Sequence, residues 1–514
     1  MLAQSPFDVK VEFDKVVSAD QVTVTINGQP AETVLGKKFE FIEKEEGFDA
    51  SAVLIRAASI SQPGTYKLEA KAGDEMKSVS WQVFGTPATP KAKNVIFFLG
   101  DGLSVAHRTG ARIMSKGMTE GKANGRLNID DLDHMAFIGT SATNAISTDS
   151  ANTMSAYMTG HKTAVNALGV YADRTKASLD DPRVETIAEA LRRTGNKSIG
   201  VVSTAEVEDA TPAAVLAHTR LRADKADIVG MFFDVKPEIV LGGGSAYFLP
   251  QSTPGSKRKD DKDYIAMLRD AGYTLATDKT ELVAAKGTNT GKILGLFHTG
   301  NMDTTLDREF LKKGSVEKFP NQPGLVEMTQ TALDQLSKDE DGFFLMVEAA
   351  SVDKMSHPMD WERSLFETIE FDKAVGIGME FAKTHPDTLI VATGDHTHGV
   401  SIWMTSPGFS KQTSFGLRMA CGLVFGGDLR PALRMSSGTG VTRPRSTSFF
   451  RMRPTVALET AKPALRNTGP SLSLPQKGKS SLSRSTSGRR VGLQPLARTR
   501  CGRRLFGSGA LSQR

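Results

Sequence analysis

The chain contains little cysteine, few aromatic residues and no long apolar run. Its only cysteines are Cys421 and Cys501, and residues 1–410 contain none. This excludes a fold built on disulfides and a zinc site built on cysteines. No stretch approaches the ~20 consecutive apolar residues that a membrane helix requires, so no membrane span is predicted. The first residues, MLAQSPFDVKVEF, lack a basic segment followed by an apolar one, so no secretory signal peptide is visible.

Acidic residues are scarce in the last fifth of the 514-residue chain. Residues 411–514 contain 20 lysines and arginines against only Asp428 and Glu459, whereas residues 1–410 contain 44 basic and 56 acidic residues. The net charge of +6 therefore hides an acidic body and a basic tail. A nucleic-acid-binding function would depend entirely on this tail, which lacks aromatic residues interleaved for base stacking. Nucleic acid is therefore not the expected partner.

The first part of the chain has the pattern of a β-rich domain. In residues 1–84, short runs that alternate apolar and polar residues are separated by turn signals such as Asn27-Gly28. Several short strands of this kind predict a small all-β, sandwich-like accessory domain. Residues 85–93, which include GTPATP, are predicted to form a stiff linker.

Residues 94–408 combine buried strands with amphipathic helices. The strand-like segments include NVIFFLG, KSIGVVS, FFLMVEA and TLIVATG. In DPRVETIAEALRRTG, Pro182 lies in the first turn of a predicted helix and Gly195 lies at its end. This alternation predicts a doubly wound α/β sheet with helices on both faces. Residues 223–320, rich in Lys, Asp and Gly, are predicted to be irregular excursions from it. A helical core face is predicted from Leu325, Met328, Ala332, Leu333 and Leu336.

The pattern breaks in residues 409–514. Ser, Arg, Pro and Gly dominate, hydrophobic periodicity is lost, and arginine outnumbers lysine 16 to 4 after residue 410. Two interpretations are open. One is a disordered basic tail. The other, which we favour as a hypothesis, is a translated reading-frame shift, because composition and pattern change at one point.

Acidic, histidine and hydroxyl residues gather in four segments at predicted strand and helix ends. Ligands of open α/β sheets bind at the carboxyl ends of the strands. Asp101 follows a buried strand between two glycines, where it is either a metal ligand or a turn residue. Ser150 begins a predicted helix, where it is either an N-cap or a nucleophile whose alkoxide the helix N-terminus stabilises.

The other two segments have the spacing of metal ligands. Asp353 and His357 are four residues apart and would share one helix face. Glu348 ends the buried strand before them, and the alternative for these residues is a surface ion pair. The segment Asp395-His396-Thr397-His398 directly follows another buried strand. It is a stronger metal signal than any isolated histidine.

Six ordered motifs resemble the alkaline phosphatase family of the bacterial type. They are NVIFFLGDG, TDSANTMSAYMTGHKT, VSTAEVEDATPAAVLAHTRLR, PEIVLGGG, FFLMVEAASVDKMSH and TLIVATGDHTHG, and the resemblance covers residues 94–402. The resemblance implies an alkaline-phosphatase-like sheet and hydrolysis of small phosphate monoesters at a site with two Zn²⁺ ions and one Mg²⁺ ion. It also implies a homodimer, located in the periplasm or secreted.

The resemblance also implies a role for each matching residue. Ser150 matches the nucleophile that forms a phosphoserine intermediate, and Arg222 matches the arginine that binds the phosphoryl group. Asp101, Asp395 and His396 match the ligands of the zinc ion that activates the serine, with Asp101 also touching magnesium. The remaining matches are Asp353 and His357 for the second zinc ion, Glu348 and Thr211 for magnesium, and Asp209, Lys354 and His398 for positions around the metals.

The sequence departs from the family after Ser401. The family supplies a third ligand to the second zinc ion from a late histidine, but this sequence has no histidine after His398. A catalytic zinc site with only two protein ligands predicts weak zinc binding and impaired activity. Two alternatives stay open: a catalytically defective product that binds metal or phosphate, and a related phosphodiester or sulfate ester hydrolase.

Overall fold

The computed structural model describes residues 1–87, 89–195, 197–287, 291–404 and 415–419, with 400–404 and 415–419 as backbone only. Strands are the main regular structure of residues 1–83. Their elements are β1 (Phe7–Glu12), β2 (Val22–Ile26), β3 (Gln29–Pro30), α1 (Ala31–Leu35), β4 (Glu40–Ile42), β5 (Ala52–Ala58), β6 (Gly64–Ala72) and β7 (Glu75–Val83).

These strands form two antiparallel sheets, with the orders β1-β5-β4 and β3-β2-β6-β7. Alternate side chains of the strands point inward, as the period-2 pattern requires. Phe13, Ile26, Ile55 and Leu68 are buried in one hydrophobic cluster between the sheets. The predicted all-β character of this region is therefore confirmed, while a domain boundary at residue 84 stays a prediction.

A parallel sheet organises the rest of the described chain. Its strands are β8 (Asn94–Gly100), β11 (Ser198–Glu206), β12 (Ile239–Gly243), β13 (Thr274–Ala276), β14 (Ile293–Leu296), β15 (Phe343–Ala349) and β16 (Thr388–Gly394). Their order is β13-β14-β12-β11-β15-β8-β16, and every neighbouring pair is parallel. A short hairpin, β9 (Met118–Thr119) and β10 (Lys122–Ala123), lies outside it.

Helices cover both faces of this sheet. They are α2 (Val105–Lys116), α3 (Ser150–Thr159), α4 (Ile187–Gly195), α5 (Ala210–Ala213), α6 (Lys225–Val235), α7 (Tyr264–Asp270), α8 (Lys279–Ala285), α9 (Leu325–Leu336), α10 (Ser351–Ser356) and α11 (Trp361–Thr384). Phe98 of β8 packs in one cluster with side chains of α9 and α11, whereas its neighbour Leu99 packs in another with side chains of α3 and α6. The predicted doubly wound α/β fold is confirmed, as is the predicted core face of α9.

Two local predictions were wrong. Residues 223–320 are not mere excursions, because β12, β13 and β14 complete one side of the sheet. β13 and β14 are only three and four residues long, too short to show a strand pattern. Pro182 does not begin α4. Thr186 caps this helix, since the Glu189 amide donates to its hydroxyl and the Glu189 carboxylate accepts from the Thr186 amide.

The chain after β16 is described only in part. β17 (Val400–Met404) and β18 (Phe415–Met419) pair antiparallel, with Val400 opposite Met419. Apart from β18, the predicted basic tail of 409–514 lies outside the described residues. Among the helices of the described ranges, none combines the length and the apolar character needed to cross a bilayer.

The burial of Asp181 predicts a pH-dependent stability. Asp181 is 1% exposed, and its Oδ1 accepts the Asp173 amide at 2.8 Å. Burial raises the pKa of Asp181 to about 6. Because the folded-state pKa lies above the unfolded one, the associated stability is fully present below about pH 4 and is lost as the pH rises through about 6.

Asp181→Asn keeps an oxygen acceptor and removes this titration. We therefore expect the variant to gain stability relative to the parent between pH 4 and 7, on the order of 2 kcal/mol. Urea unfolding of both proteins at several pH values measures this difference. A constant difference across that range would contradict the prediction.

Candidate active site

Three neighbouring strands deliver carboxylates to one rim of the sheet. β8 pairs in parallel with β15 on one side and β16 on the other, so their carboxyl ends lie together. Asp101 directly follows β8, Asp395 directly follows β16, and Glu348 is the penultimate residue of β15. All three side chains are buried. The parallel register therefore concentrates negative charge at one point.

Ser150 faces this rim from the first position of α3. Asp149 occupies the N-cap position and accepts the amide of Asn152 at 3.1 Å, so the capping role falls to Asp149 rather than to Ser150. The Ser150 hydroxyl instead lies 3.3 Å from Asp101 Oδ1 and 3.4 Å from His396 Nε2. Ser150 is 4% exposed. Its hydroxyl is thus held among predicted metal ligands.

Asp101, Asp395 and His396 form the first group of potential ligands. One ligand atom from each lies within 4.8 Å of the others. Asp395 Oδ1 accepts the amides of Gly102 and His396, both at 2.9 Å, whereas its buried Oδ2 has no hydrogen-bond partner among the described residues. Burial by itself would lower the pKa of His396, but contact with Asp101 and the charge of Asp395 raise it to about 9.

A second group surrounds Asp353. His357 Nε2 lies 3.1 Å from Asp353 Oδ2, and His398 hydrogen-bonds Asp353 Oδ1. Ligand atoms of Asp353, His396 and His398 form a compact three-residue group here. His398, which was predicted to lie around the metals, is thus placed among the potential ligands. The His357 side chain is 63% exposed and contacts the His398 ring edge to face, with centroids 4.6 Å apart.

Glu348 and Thr211 form a third, deeper group. Glu348 accepts a hydrogen bond from the Ser203 hydroxyl. Thr211 is 1% exposed, and its hydroxyl has no hydrogen-bond partner by geometry within the described chain. A buried hydroxyl oxygen without a partner is costly, and it offers one ligand position.

Cations line the opposite side. Arg222 donates to Asp149 at 3.3 Å and to Asp209 at 3.2 Å. Lys354 lies 2.8 Å from Asp209 Oδ2, and Lys225 lies 3.4 Å from Asp209 Oδ1. Burial would raise the pKa of Asp209, but the charges of Lys354, Lys225 and Arg222 hold it well below its usual range. Asp209 therefore fixes the positions of three cations.

Members of the first two groups and two of the cations border one cavity of about 600 Å³. Ser150, Arg222 and Lys354 lie on its wall together with the three histidines of the site. The cavity thus exposes a hydroxyl, a planar cation and potential metal ligands to one bound molecule. Its lining residues are Thr148, Asp149, Ser150, Asn166, Arg222, Asp353, Lys354, His357, His396, Thr397, His398 and Gly399.

The donor set fits metal cations. Burial raises the pKa of Asp101, that of Asp395 to about 8 and that of Glu348 to about 7. Such shifts mean that the protein compensates these buried carboxylates only in part. The buried oxygens Asp395 Oδ2 and Thr211 Oγ1 have no hydrogen-bond partner among the described residues. Carboxylate, imidazole and hydroxyl donors of this kind suit zinc and magnesium.

Sequence reasoning missed Lys225 and Asn166. Lys225 begins α6 and bridges Asp209 and Glu206, while the Asn166 carbonyl accepts the amide of Arg222 at 2.9 Å. Neither residue belongs to a recognisable motif, so no signal in one sequence would have singled them out.

Comparison with known proteins decides the family. The alkaline phosphatase family profile matches residues 92–420, well over half of the chain. The chain belongs to the alkaline phosphatase family. The predicted resemblance to this family is therefore confirmed over residues 92–420.

Similar proteins from several organisms are also alkaline phosphatases. Escherichia coli alkaline phosphatase is 33% identical over 349 residues, which are 60% of this chain and 71% of that protein. Bacillus subtilis alkaline phosphatase 4 is 31% identical over 353 residues, 67% of this chain and 69% of that protein. The Gallus gallus tissue-nonspecific isozyme is 32% identical, and the match spans 64% of it. The chain thus spans about two thirds of these relatives.

Solved structures show the same fold. Alkaline phosphatase from Thermus thermophilus superposes with a TM-score of 0.53 at 27% identity, covering 61% of each chain. The enzyme from the Antarctic bacterium TAB5 gives 0.52 at 27% identity, covering 64% of this chain and 87% of that one. A variant of the TAB5 enzyme has Mg bound in its M3 site.

Proposed function

We propose that this alkaline phosphatase family member hydrolyses phosphate monoesters through a phosphoserine intermediate on Ser150. The observation that supports this most directly is the position of the Ser150 hydroxyl, 3.3 Å from Asp101 and 3.4 Å from His396 at the start of α3. Asp149 satisfies the helix N-terminus, so the hydroxyl is free to attack an ester in the cavity.

Arg222 is proposed to bind the phosphoryl group. Its guanidinium borders the same cavity as Ser150, and its planar fork can donate to two phosphoryl oxygens at once. Asp209 and Asp149 orient this fork. The arginine would thus hold the ester with its phosphorus facing the serine oxygen, which converts the attack into an intramolecular step.

The proposed metal ligands follow the three groups. Asp101, Asp395 and His396 would hold one zinc ion, Asp353 and His357 another, and Glu348 and Thr211, with Asp101, a magnesium ion. When bound, such ions lower the pKa of the serine hydroxyl and stabilise the charge on the entering and leaving oxygens. Lys354 and His398 would act beside them, Lys354 through Asp209 and His398 through Asp353.

A panel of p-nitrophenyl esters tests the proposed reaction. We expect the phosphate monoester to be hydrolysed and to outcompete both the bis-phosphate diester and the sulfate ester. Arg222, Lys354 and Lys225 together provide positive charge for a dianion, which favours the monoester. Faster hydrolysis of the diester or the sulfate would favour the alternative hydrolase.

Arg222→Lys separates charge from geometry. Lysine keeps the positive charge but loses the two-pronged donor set, so we expect kcat/KM for the monoester to fall about 10²-fold, with a larger loss in Arg222→Ala. Steady-state kinetics measures the effect. Equal kcat/KM values for parent and Arg222→Lys would show that the fork does not bind the phosphoryl group.

The second zinc position is proposed to bind weakly in this chain. The sequence has no histidine after His398, so Asp353 and His357 would act without the family's late ligand. The reading-frame hypothesis for the tail stays a prediction. Translation of the encoding DNA in its other two frames beyond codon 398 tests it, because a recovered His-x-Gly-Glu-Asp-like stretch is expected.

Export to the periplasm or outside the cell and assembly as a homodimer are proposed from family membership. Cell fractionation tests the first proposal, and sedimentation velocity tests the second. A monomer at micromolar concentration would contradict the proposed dimer.

A further inference from the structure

One loop contacts both the N-terminal β-structure and the segment that carries Arg222. We call residues 166–185 the bridging loop. It contains neither a helix nor a strand, yet many of its residues are buried. Isolated backbone bridges join Phe7 to Val184 on one side of the loop and Leu168 to Thr219 on the other. The bridging loop therefore contacts both the N-terminal β-structure and the segment before Arg222.

Arg174 is the main anchor on the N-terminal side. Its guanidinium donates to the Phe13 carbonyl at 2.6 Å, the Ser51 carbonyl at 3.1 Å and Glu45 Oε2 at 2.5 Å. Lys10 adds an ion pair with Asp173. Each guanidinium nitrogen is therefore used by the β-structure, which fixes this point of the loop in three directions.

A second set of contacts holds the C-terminal end of the bridging loop. The Asp8 amide donates to the Arg183 carbonyl at 3.0 Å, and the Asp8 carboxylate accepts the Arg183 amide at 3.1 Å. Ser5 donates to Glu185 at 2.5 Å. The loop is therefore attached to β1 and its flanks along its length rather than at one residue.

The other side of the loop holds the Arg222 segment. The Arg220 guanidinium donates to the Thr175 carbonyl, next to Arg174 in the chain, and the Arg220 amide donates to the Ser178 carbonyl at 2.8 Å. The Arg222 amide donates to the Asn166 carbonyl at 2.9 Å. The backbone of residues 220–222 is thus hydrogen-bonded to the bridging loop at both ends.

Arg222 itself depends on this backbone support. Its guanidinium bonds to Asp149 and Asp209 are long, at 3.3 and 3.2 Å. Asn166, which accepts the Arg222 amide, has a left-handed backbone with φ of 72° and donates to Asp149 at 3.2 Å. A residue in that conformation persists only where its surroundings hold it. Displacement of the loop would therefore move Arg222.

We propose that the N-terminal β-structure positions Arg222 for phosphoryl binding through the bridging loop, with Arg174 as the positioning residue. The β-structure is then part of the active-site support and not only an accessory unit. The inference depends on the proposed function, because it assigns Arg222 to the phosphoryl group. A misplacement of about 1 Å in a group that positions the substrate is enough to slow a reaction by about 10²-fold.

Isothermal titration of the full chain, loaded with zinc and magnesium, with inorganic phosphate tests this proposal. Arg174→Ala removes the anchor, and Arg220→Gln breaks the other end of the path without touching the N-terminal contacts. Lys44→Ala is the matched control, since Lys44 lies in the same β-structure and pairs only with the exposed Asp49 among described residues. Arg222→Ala reports on the phosphate site itself.

We expect Arg174→Ala and Arg220→Gln to weaken phosphate binding about tenfold, with bound zinc per chain unchanged and Lys44→Ala equal to the parent. Arg174→Lys should recover part of the loss. If Arg174→Ala and Arg220→Gln stay within about twofold of the parent while Arg222→Ala weakens binding, the positioning role is overturned and the proposed function stands. If Arg222→Ala also binds phosphate normally, the proposed phosphate site fails and the inference fails with it.

Discussion

Ser150→Ala is expected to abolish phosphoenzyme formation and to lower kcat/KM for phosphate monoesters by at least about 10³-fold. The Ser150 hydroxyl is the nucleophile in the proposed reaction. Among the described residues, no other hydroxyl is within hydrogen-bond distance of both Asp101 and His396. The change removes one oxygen from a buried position and leaves the Asp149 cap intact. Trapping with ³²P-phosphate at low pH, followed by steady-state kinetics, measures both effects.

Ser147→Ala provides the matched control for this experiment. Ser147 lies three residues earlier, is exposed and takes no part in the described rim. The control is expected to retain parental turnover and full trapping. Undiminished labelling of the Ser150→Ala protein in an active preparation would rule out the phosphoserine mechanism.

Removal of metal ions is expected to cause the second large effect. Without metal cations, burial of the carboxylates of Asp101, Asp395 and Glu348 outweighs the nearby positive charges of the protein and raises the pKa of each. A site held at about 1,000 times its dissociation constant contributes about 4 kcal/mol to the free energy of unfolding. Chelation should therefore abolish activity and lower the unfolding temperature by at least about 5 °C.

Differential scanning calorimetry with and without a chelator measures the change in stability, and zinc with magnesium should restore it. In Asp395→Asn the effect of the chelator should shrink, because that variant loses one ligand. Asp387→Asn, just before β16 and exposed, should respond to the chelator like the parent. An unfolding temperature that does not depend on the chelator in the parent would contradict metal binding at this rim.

The sequence predicted the residues of the rim better than it predicted the strands and helix ends that surround the rim. Asp101 and Asp395 each follow an uninterrupted apolar strand, and parallel strands place their carboxyl ends together. Their approach to His396 could therefore be expected from short segments. By contrast, β13 and β14 are too short to show a period, and the helix start at Thr186 depends on a side-chain contact with Glu189 that Pro182 obscured.

The choice between capping and chemistry at Ser150 could not be made from sequence. Aspartate and serine are both common N-cap residues, so either Asp149 or Ser150 could have capped α3. The structure gives the cap to Asp149 because its carboxylate reaches the Asn152 amide. The same geometry leaves the Ser150 hydroxyl facing Asp101, which local propensity alone does not specify.

The family, the parallel sheet and the residue types at its rim follow from the amino-acid sequence, since they depend on local patterns of burial and on ordered motifs. The contact of Lys225 with Asp209 and the contacts of the N-terminal β-structure with the bridging loop become visible only in the folded chain. Those contacts join residues far apart in the chain through single side chains and carbonyl groups. Such pairings leave no periodic trace, because they depend on where the backbone lies after folding.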